Sequence, residues 1–314
     1  MARTKIETRC VVDKLKVCYK QPADLISWLI KRGGIVDDTK DAYIDCGDFT
    51  LKLISKEGKD ENYTQLVFDV IIPADSYSKL GTFTFNNSSK YEGLCFFDFE
   101  NSALYTIFSK AYDKTNNNYQ GLLFFVASTL GLVYNNITQV DIALDTTRNY
   151  IKHLRNYIHK WNEYDMYLNG HIVKDPNATL EHYGEYYSRS REAMSKQPTL
   201  YFCQSKDVGL RMRVYNKSKE LEEQSTDKAS RYEEYMEFTT SNPVYRVEVE
   251  IKNVDIKLFH SLWKERYGDE DKENILSLLM LEDFNAQLWK WATDRLVYFR
   301  DLKSKEYIYL ADIL

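Results

Sequence analysis

Three short stretches of this 314-residue chain alternate polar and apolar side chains in a way that could assemble chemistry. Successive side chains of a strand point to opposite faces. In Gln139 to Asp145, therefore, Asp141, Ala143 and Asp145 share one face and Val140, Ile142 and Leu144 take the other. In Leu210 to Lys217, Arg211, Arg213, Tyr215 and Lys217 stand against Leu210, Met212 and Val214. In Tyr245 to Lys252, Arg246, Glu248, Glu250 and Lys252 are backed by Val247, Val249 and Ile251. If the three strands are neighbours, Asp141, Asp145, Glu248 and Glu250 lie in one patch with Tyr215, Arg211, Arg213 and Lys217. Clustered carboxylates repel one another unless a cation sits among them, and such oxygen ligands suit Mg²⁺ or Mn²⁺. A tyrosine beside a hard divalent ion and two guanidinium groups is suited to attack on a phosphodiester. The same alternation also arises on any half-exposed antiparallel sheet, where Arg/Glu pairs neutralise one another in water. Alternation alone does not separate the two.

Other sites of this kind are poorly supplied. No two of His153, His159, His171, His182 and His260 stand two residues apart, so a metal site on the chain would rest on carboxylates. His153 and His159 fall on a predicted helix and read as surface or packing residues. Tyr186, Tyr187 and Tyr201 are alternative nucleophiles by residue type. Tyr186 and Tyr187 sit beside Arg189 and Arg191, could instead stack on unpaired bases, and read first as ordinary strand residues. Cys10, Cys18, Cys46, Cys95 and Cys203 are odd in number, scattered and without a CxxC pair, which argues against disulfides and a thiolate zinc site.

Composition sets the wider frame. With 44% hydrophobic and 28% charged residues, the chain is expected to fold around a sizeable core. The longest apolar run, Gly121 to Val133, is too short to span a membrane and contains Ser128 and Thr129. The N-terminus lacks a signal-peptide core, so a soluble, cytoplasmic protein without membrane contact is expected. A net charge of −5 counts against nonspecific coating of nucleic acid. Locally the balance reverses: Thr146 to Lys219 carries 13 basic and 7 acidic residues.

The elements that would position these residues follow from periodicity. Strands are expected at Cys10 to Tyr19, Tyr43 to Ile54, Gln65 to Ile72, Gly81 to Phe85 and Gly93 to Phe99. A helix opened by Pro22 and closed by Gly33-Gly34 interrupts the first two. Helices are expected at Ala103 to Tyr112, Leu122 to Leu132 and Tyr150 to Trp161, with Ile151, Leu154, Tyr157, Ile158 and Trp161 on one stripe of the last. Thr138 to Asp145, Tyr183 to Ser188, Thr199 to Cys203, Leu210 to Lys217 and Val244 to Lys252 read as further strands, and the tail from Asp255 as mostly helical, most clearly over Leu276 to Phe299. The expected class is α+β, mainly antiparallel sheet with packed helices. The strand–helix–strands order recurs over Cys10 to Phe99 and Gln139 to Lys252, which suggests two similar halves. The segments expected are 1–120, an N-terminal α+β half; 121–254, a catalytic half with the three motif strands; and 255–314, a helical C-terminal segment.

The three strands also carry a family resemblance. Thr199-Leu200-Tyr201-Phe202 leading into Arg211-Met212-Arg213-Val214-Tyr215-Asn216-Lys217, with Glu220 after it, resembles the motif of the staphylococcal-type rolling-circle plasmid replication initiators, the Rep_trans or replication initiation factor family. Thr138 to Asp145 resembles that family's aspartate strand, and Tyr245 to Lys252 its Arg-Val-Glu-Ile-Glu strand. Order and approximate spacing agree over about Phe97 to Lys252. The first 90 and last 60 residues show no match, Gln139 replaces a usual basic residue, and Cys203 stands where glycine is common. The resemblance implies Tyr215 as nicking nucleophile with Arg213 and Lys217 beside it. It implies Mg²⁺ or Mn²⁺ on Asp141 and Glu248, with Asp145, Glu250 and Asp98 as neighbouring carboxylates. Arg189, Arg191 and Arg211 are expected to contact DNA. The implied partner is origin DNA, as a hairpin or single-stranded nick site; a helicase and a homodimer are further partners of this reading. Two alternatives stay open: a relaxase of a conjugative or mobilisable element, and a catalytically inert DNA-binding protein.

Overall fold

The structure is a computed structural model and describes residues 8–59, 62–72, 79–108, 119–174, 199–202, 209–223, 229–230, 232–233, 243–268 and 275–313. The fold is α+β, with antiparallel strand pairing and helices packed on the sheet. The chain forms two compact units, one of Asp13–Val140 and one of Met1–Val12 with Asp141–Leu314. Among the described residues no helix is long and apolar enough to cross a membrane.

The Asp13–Val140 unit holds most of β1 (Thr8–Lys20), then α1 (Leu25–Gly33), β2 (Tyr43–Asp45), β3 (Thr50–Lys59), β4 (Asn62–Ile71), β5 (Gly81–Asn86), β6 (Leu94–Phe99), α2 (Asn101–Phe108), α3 (Tyr119–Thr129) and the start of β7 (Val133–Thr146). Its strands run in the order β1-β6-β5-β4-β3-β2. Alternation in β4 sends Leu66, Phe68 and Val70 inward. There they meet Phe83, Phe85 and Phe97, whose rings lie 4.6–6.0 Å from their neighbours, within the range of favourable aromatic contact. Helix α1 ends as its sequence predicts: Gly34 adopts φ 58°, and its N–H donates back to Ile30 O and Lys31 O. The single strand expected over Tyr43 to Ile54 is a hairpin instead. Asp45 Oδ1 accepts a hydrogen bond from Gly47 N at 2.8 Å, and Gly47 has φ 93°, so the chain reverses between β2 and β3.

The other unit takes residues 141–146 of β7, then α4 (Tyr150–His159), β8 (Tyr164–Leu168), β9 (His171–Ile172), β10 (Leu200–Phe202), β11 (Leu210–Asn216), α5 (Lys217–Glu223) and β12 (Tyr245–Lys252). It continues with α6 (Asn253–Tyr267), α7 (Ile275–Leu278), α8 (Glu282–Leu296), β13 (Val297–Asp301), β14 (Tyr307–Tyr309) and α9 (Leu310–Ile313). Strands β10, β11, β12 and β7 are successive neighbours in its main sheet. Leu210, Met212 and Val214 of β11 and Val247, Val249 and Ile251 of β12 are buried, as are Phe284, Leu288, Trp289 and Ala292 of α8. Trp289 Nε1 donates to Val247 O at 3.0 Å and ties α8 to β12. A smaller sheet, β14-β13-β8-β9, stacks Tyr167 on Tyr298 at 4.8 Å. The mostly helical stretch expected over Leu276 to Phe299 is two helices, α7 and α8, that end at Leu278 and Leu296, and Val297 begins β13 by pairing with Leu168. Helix α4 stops at His159, leaving Trp161 exposed rather than on its apolar stripe.

Within the Asp13–Val140 unit, Asp13 is a buried carboxylate that accepts the Tyr105 hydroxyl at 2.7 Å. A buried polar group that loses its hydrogen bond is expensive. Tyr105→Phe is expected to lower stability by about 1–3 kcal/mol, read from urea unfolding; an unchanged midpoint would show that the hydroxyl contributes nothing.

Candidate active site

The three motif strands lie side by side: β11 beside β12, and β12 beside β7. The β11–β12 register sets Arg211 opposite Glu250, Arg213 opposite Glu248, and Tyr215 opposite Arg246. Directly opposed side chains on one face of an antiparallel pair stand close enough to interact, and long ones reach diagonally. Both modes occur here. Arg213 Nη2 donates across the pair to Glu248 Oε1, while Tyr215 Oη donates diagonally to Glu248 Oε2 at 2.9 Å. One carboxylate thus bridges a guanidinium and a phenol. Glu248 is only 2% exposed, whereas Arg213 is 46% exposed, so the constellation opens to solvent on its arginine side.

Positive charge surrounds the phenol. The Arg213 guanidinium lies 5.6 Å and Lys217 Nζ 5.9 Å from the Tyr215 ring centre, both within cation–π range. Lys217 does not extend the strand as expected. β11 stops at Asn216, whose Oδ1 accepts from Lys219 N at 3.1 Å, and Lys217 opens α5. The Lys217 side chain turns inward, 1% exposed, to meet Glu220 Oε2 at 2.6 Å.

Asp145, expected among the metal carboxylates, is instead held by Arg246. Arg246 Nε and Nη2 donate to Asp145 Oδ1 and Oδ2, each at 2.6 Å, and neither side chain is exposed at all. Tyr232 Oη adds a third hydrogen bond, to Asp145 Oδ2 at 2.9 Å. Its ring stands 5.7 Å from the Arg246 guanidinium and 5.6 Å from Lys217 Nζ. The field of Asp145 extends to β1. Burial first, then the charges of Asp145 and Glu282, push the Cys10 thiol far above its ordinary range, so it stays protonated. The sequence signal for Arg246 was alternation, which placed it on one strand face with Glu248 and Glu250. Tyr232 sits in a charged run with no periodic pattern, and sequence offered no signal for it.

The expected carboxylates are not equivalent. Asp145 is bound to Arg246. Glu250 lies 2.6 Å from Lys252 and 3.7 Å from Arg211. Asp98 belongs to the Asp13–Val140 unit and pairs there with Lys16 at 2.7 Å. Asp141 and Glu248 are both buried, on neighbouring strands. Among the described residues no group of three His, Cys, Asp or Glu side chains has metal-binding geometry. Mg²⁺, however, commonly uses one or two carboxylates and completes its shell with water and substrate phosphate. Asp141 and Glu248 are carboxylates of the required kind, with Glu248 already engaged by Arg213 and Tyr215. Arg189, Arg191, Tyr186, Tyr187 and Cys203 lie outside the described residues.

No protein-family model matches the chain, and no curated protein matches it. Among solved structures it is similar to a rolling circle replication initiator protein from Geobacillus stearothermophilus, with 12% identity and a TM-score of 0.44 over 98% of this chain and 97% of that one.

Removing one member of a buried ion pair strands the other charge, at about 3–5 kcal/mol. Arg246→Ala and Asp145→Ala are each expected to lose that much stability in chemical denaturation, and the double variant Asp145→Leu with Arg246→Met clearly less. Equal losses in single and double variants would show that the charges are not coupled.

Proposed function

We propose that this protein is a rolling-circle replication initiator that nicks one DNA strand through Tyr215 and holds the cut end as a 5′-phosphotyrosine. The observation that carries this reading is the Tyr215–Glu248–Arg213 constellation, built where three separate sequence motifs become adjacent strands. A sheet that only bound DNA would need neither a phenol poised on a buried carboxylate nor cations on both sides of that phenol.

The chemistry follows from these atoms. Tyr215 Oη, oriented by its hydrogen bond to Glu248 Oε2, attacks the scissile phosphorus and releases its proton to solvent, so Glu248 keeps its negative charge. The P–O3′ bond breaks, and the departing 3′ oxygen takes a proton from solvent to become a free 3′-OH, able to prime synthesis. Arg213, half in solvent, neutralises charge on the non-bridging phosphoryl oxygens. Lys217 stabilises negative charge as it develops on the phenol oxygen. Asp141 and Glu248 would hold one Mg²⁺ or Mn²⁺, whose charge would polarise the phosphoryl group. Asp145 and Arg246 position the strands and take no part in proton transfer. Arg211 is a partly exposed cation on the same face, and Arg189 and Arg191 are proposed to hold flanking DNA backbone.

Incubation with an origin-like hairpin DNA and Mn²⁺ is expected to yield a covalent protein–DNA band. Tyr215→Phe should retain DNA binding and form no adduct; an adduct at the wild-type rate would remove Tyr215 from the mechanism. Asp141→Ala and Glu248→Ala should abolish metal-dependent nicking and spare metal-free binding. Nicking that persists in excess EDTA would overturn the metal assignment.

A further inference from the structure

At the end of β11, beyond Tyr215, the chain opens a cleft of about 390 Å³ that the proposed chemistry does not use. Its walls come from three elements. Helix α4 supplies Lys152, Arg155, Asn156 and His159; the end of β11 and first turn of α5 supply Asn216 and Lys219; the start of β12 supplies Tyr245. Asn149, which caps α4, fixes the frame. Its Oδ1 accepts from Lys152 N at 3.0 Å, and its Nδ2 donates to Tyr245 Oη at 2.9 Å. Asn216 pairs with Tyr245 in the sheet register and caps α5 through Lys219 N. The walls are therefore held by hydrogen bonds of the fold itself.

The charge of this cleft is one-sided. Lys152, Arg155 and Lys219 are three cations, His159 adds an imidazole, and none of the described residues lining it is acidic. Helix α4 contains no Asp or Glu at all. Residues three and four apart share a helix face, so Lys152, Arg155, Asn156 and His159 form one stripe, while Ile151, Leu154 and Ile158 are buried on the other. The neighbouring His153 responds to the same field: burial, then Arg148 and Lys152, hold its imidazole below the ordinary range. A concave surface of one sign attracts a polyanion and concentrates it. The volume suits a group of nucleotide size rather than a lone ion, and the asparagines and Tyr245 offer neutral hydrogen-bonding groups beside the charges.

We infer that this cleft binds unpaired nucleotides flanking the cut site, through their phosphates. The inference rests on the nicking reading for the strand's position at Tyr215. Tyr215 and Asn216 are consecutive, with Cα atoms about 3.8 Å apart, and their side chains point to opposite faces of the sheet. A strand whose scissile phosphate lies at Tyr215 reaches the cleft by turning around the end of β11. Single-stranded DNA bends that sharply at little cost, whereas a duplex is stiff over far longer lengths.

The test uses the full chain and a fluorescent hairpin oligonucleotide with an unpaired tract, titrated over a range of salt. Each phosphate neutralised on a single strand contributes about 0.7 to the slope of log affinity against log salt. Lys152→Ala, Arg155→Ala and Lys219→Ala combined are expected to lower the slope by about two units, which weakens binding roughly a hundredfold at 0.1 M salt. The charge-preserving triple variant, Lys152→Arg, Arg155→Lys and Lys219→Arg, is expected to keep the wild-type slope. That separates loss of charge from loss of fold. A hairpin without the unpaired tract should bind wild type and the alanine variant alike. If the alanine variant keeps the wild-type slope while the Tyr215 adduct still forms, the cleft inference fails and the nicking reading stands. If no adduct forms on any DNA but the slope falls as expected, the nicking reading fails and the cleft remains a single-strand site. Wild-type protein that binds none of these DNAs overturns both.

Discussion

The candidate site depends on one buried ion pair, Arg246 with Asp145. Removing two full charges from water is costly, and mutual attraction offsets that cost only when geometry is good and the remaining hydrogen-bonding capacity is used. Both conditions are met here. The guanidinium fork meets the carboxylate through two nitrogens, and Tyr232 supplies a further donor to Asp145. Such a pairing is directional, as apolar packing is not. It fixes how β7 lies beside β12, and β12 in turn fixes β11 through the register that puts Tyr215 opposite Arg246. A one-residue slip would send every side chain of the slipped strand to the wrong face. The buried pair would then be broken and Glu248 would lose Tyr215.

Burial also changes the meaning of the polar strand faces. On an open sheet, cross-strand Arg/Glu pairs are surface pairs of little consequence. Here Asp141, Asp145, Arg246 and Glu248 are all buried, and only the arginine side of the constellation is open. Each buried carboxylate therefore needs compensating positive charge or hydrogen bonds. Glu248 obtains both, from Arg213 and Tyr215. The interaction that makes the strand face tolerable inside the protein therefore also fixes the direction of the Tyr215 hydroxyl.

The basic character of the unit is concentrated where acidic residues are absent from whole elements. Helix α4 is the clearest case, with an apolar stripe holding it to the fold and a cationic stripe facing the cleft beside β12. The chain remains acidic overall because its negative residues lie elsewhere, including Glu220 to Glu237 and Asp269 to Glu273. Net charge thus says little about what any one face will attract.

Much of this was legible in the sequence. Alternation placed Tyr215, Arg213 and Arg211 on one face of β11, and Glu248 and Glu250 on one face of β12, because the period of a strand is a property of its backbone. The cap of α1 was legible for the same local reason, since Gly34 takes a left-handed conformation that other residues avoid. The turn at Asp45-Cys46-Gly47 was also local, yet the apolar residues on both sides masked it. Side-chain partners were not legible, because a partner is chosen by contact between residues distant along the chain. Asp145 and Arg246 are 101 residues apart, and only the folded sheet decides that this carboxylate is held by arginine. Lys217 continued the alternation in sequence, but the structure ends the strand one residue earlier, where Asn216 caps α5 and turns the lysine inward. Val297 joined a helical pattern, but pairing with Leu168 made it the start of a strand. Sequence alone determined which residues could share a face. Tertiary structure decided which faces were buried and which charges met there, because burial and pairing energies depend on distances that the chain sets only by folding.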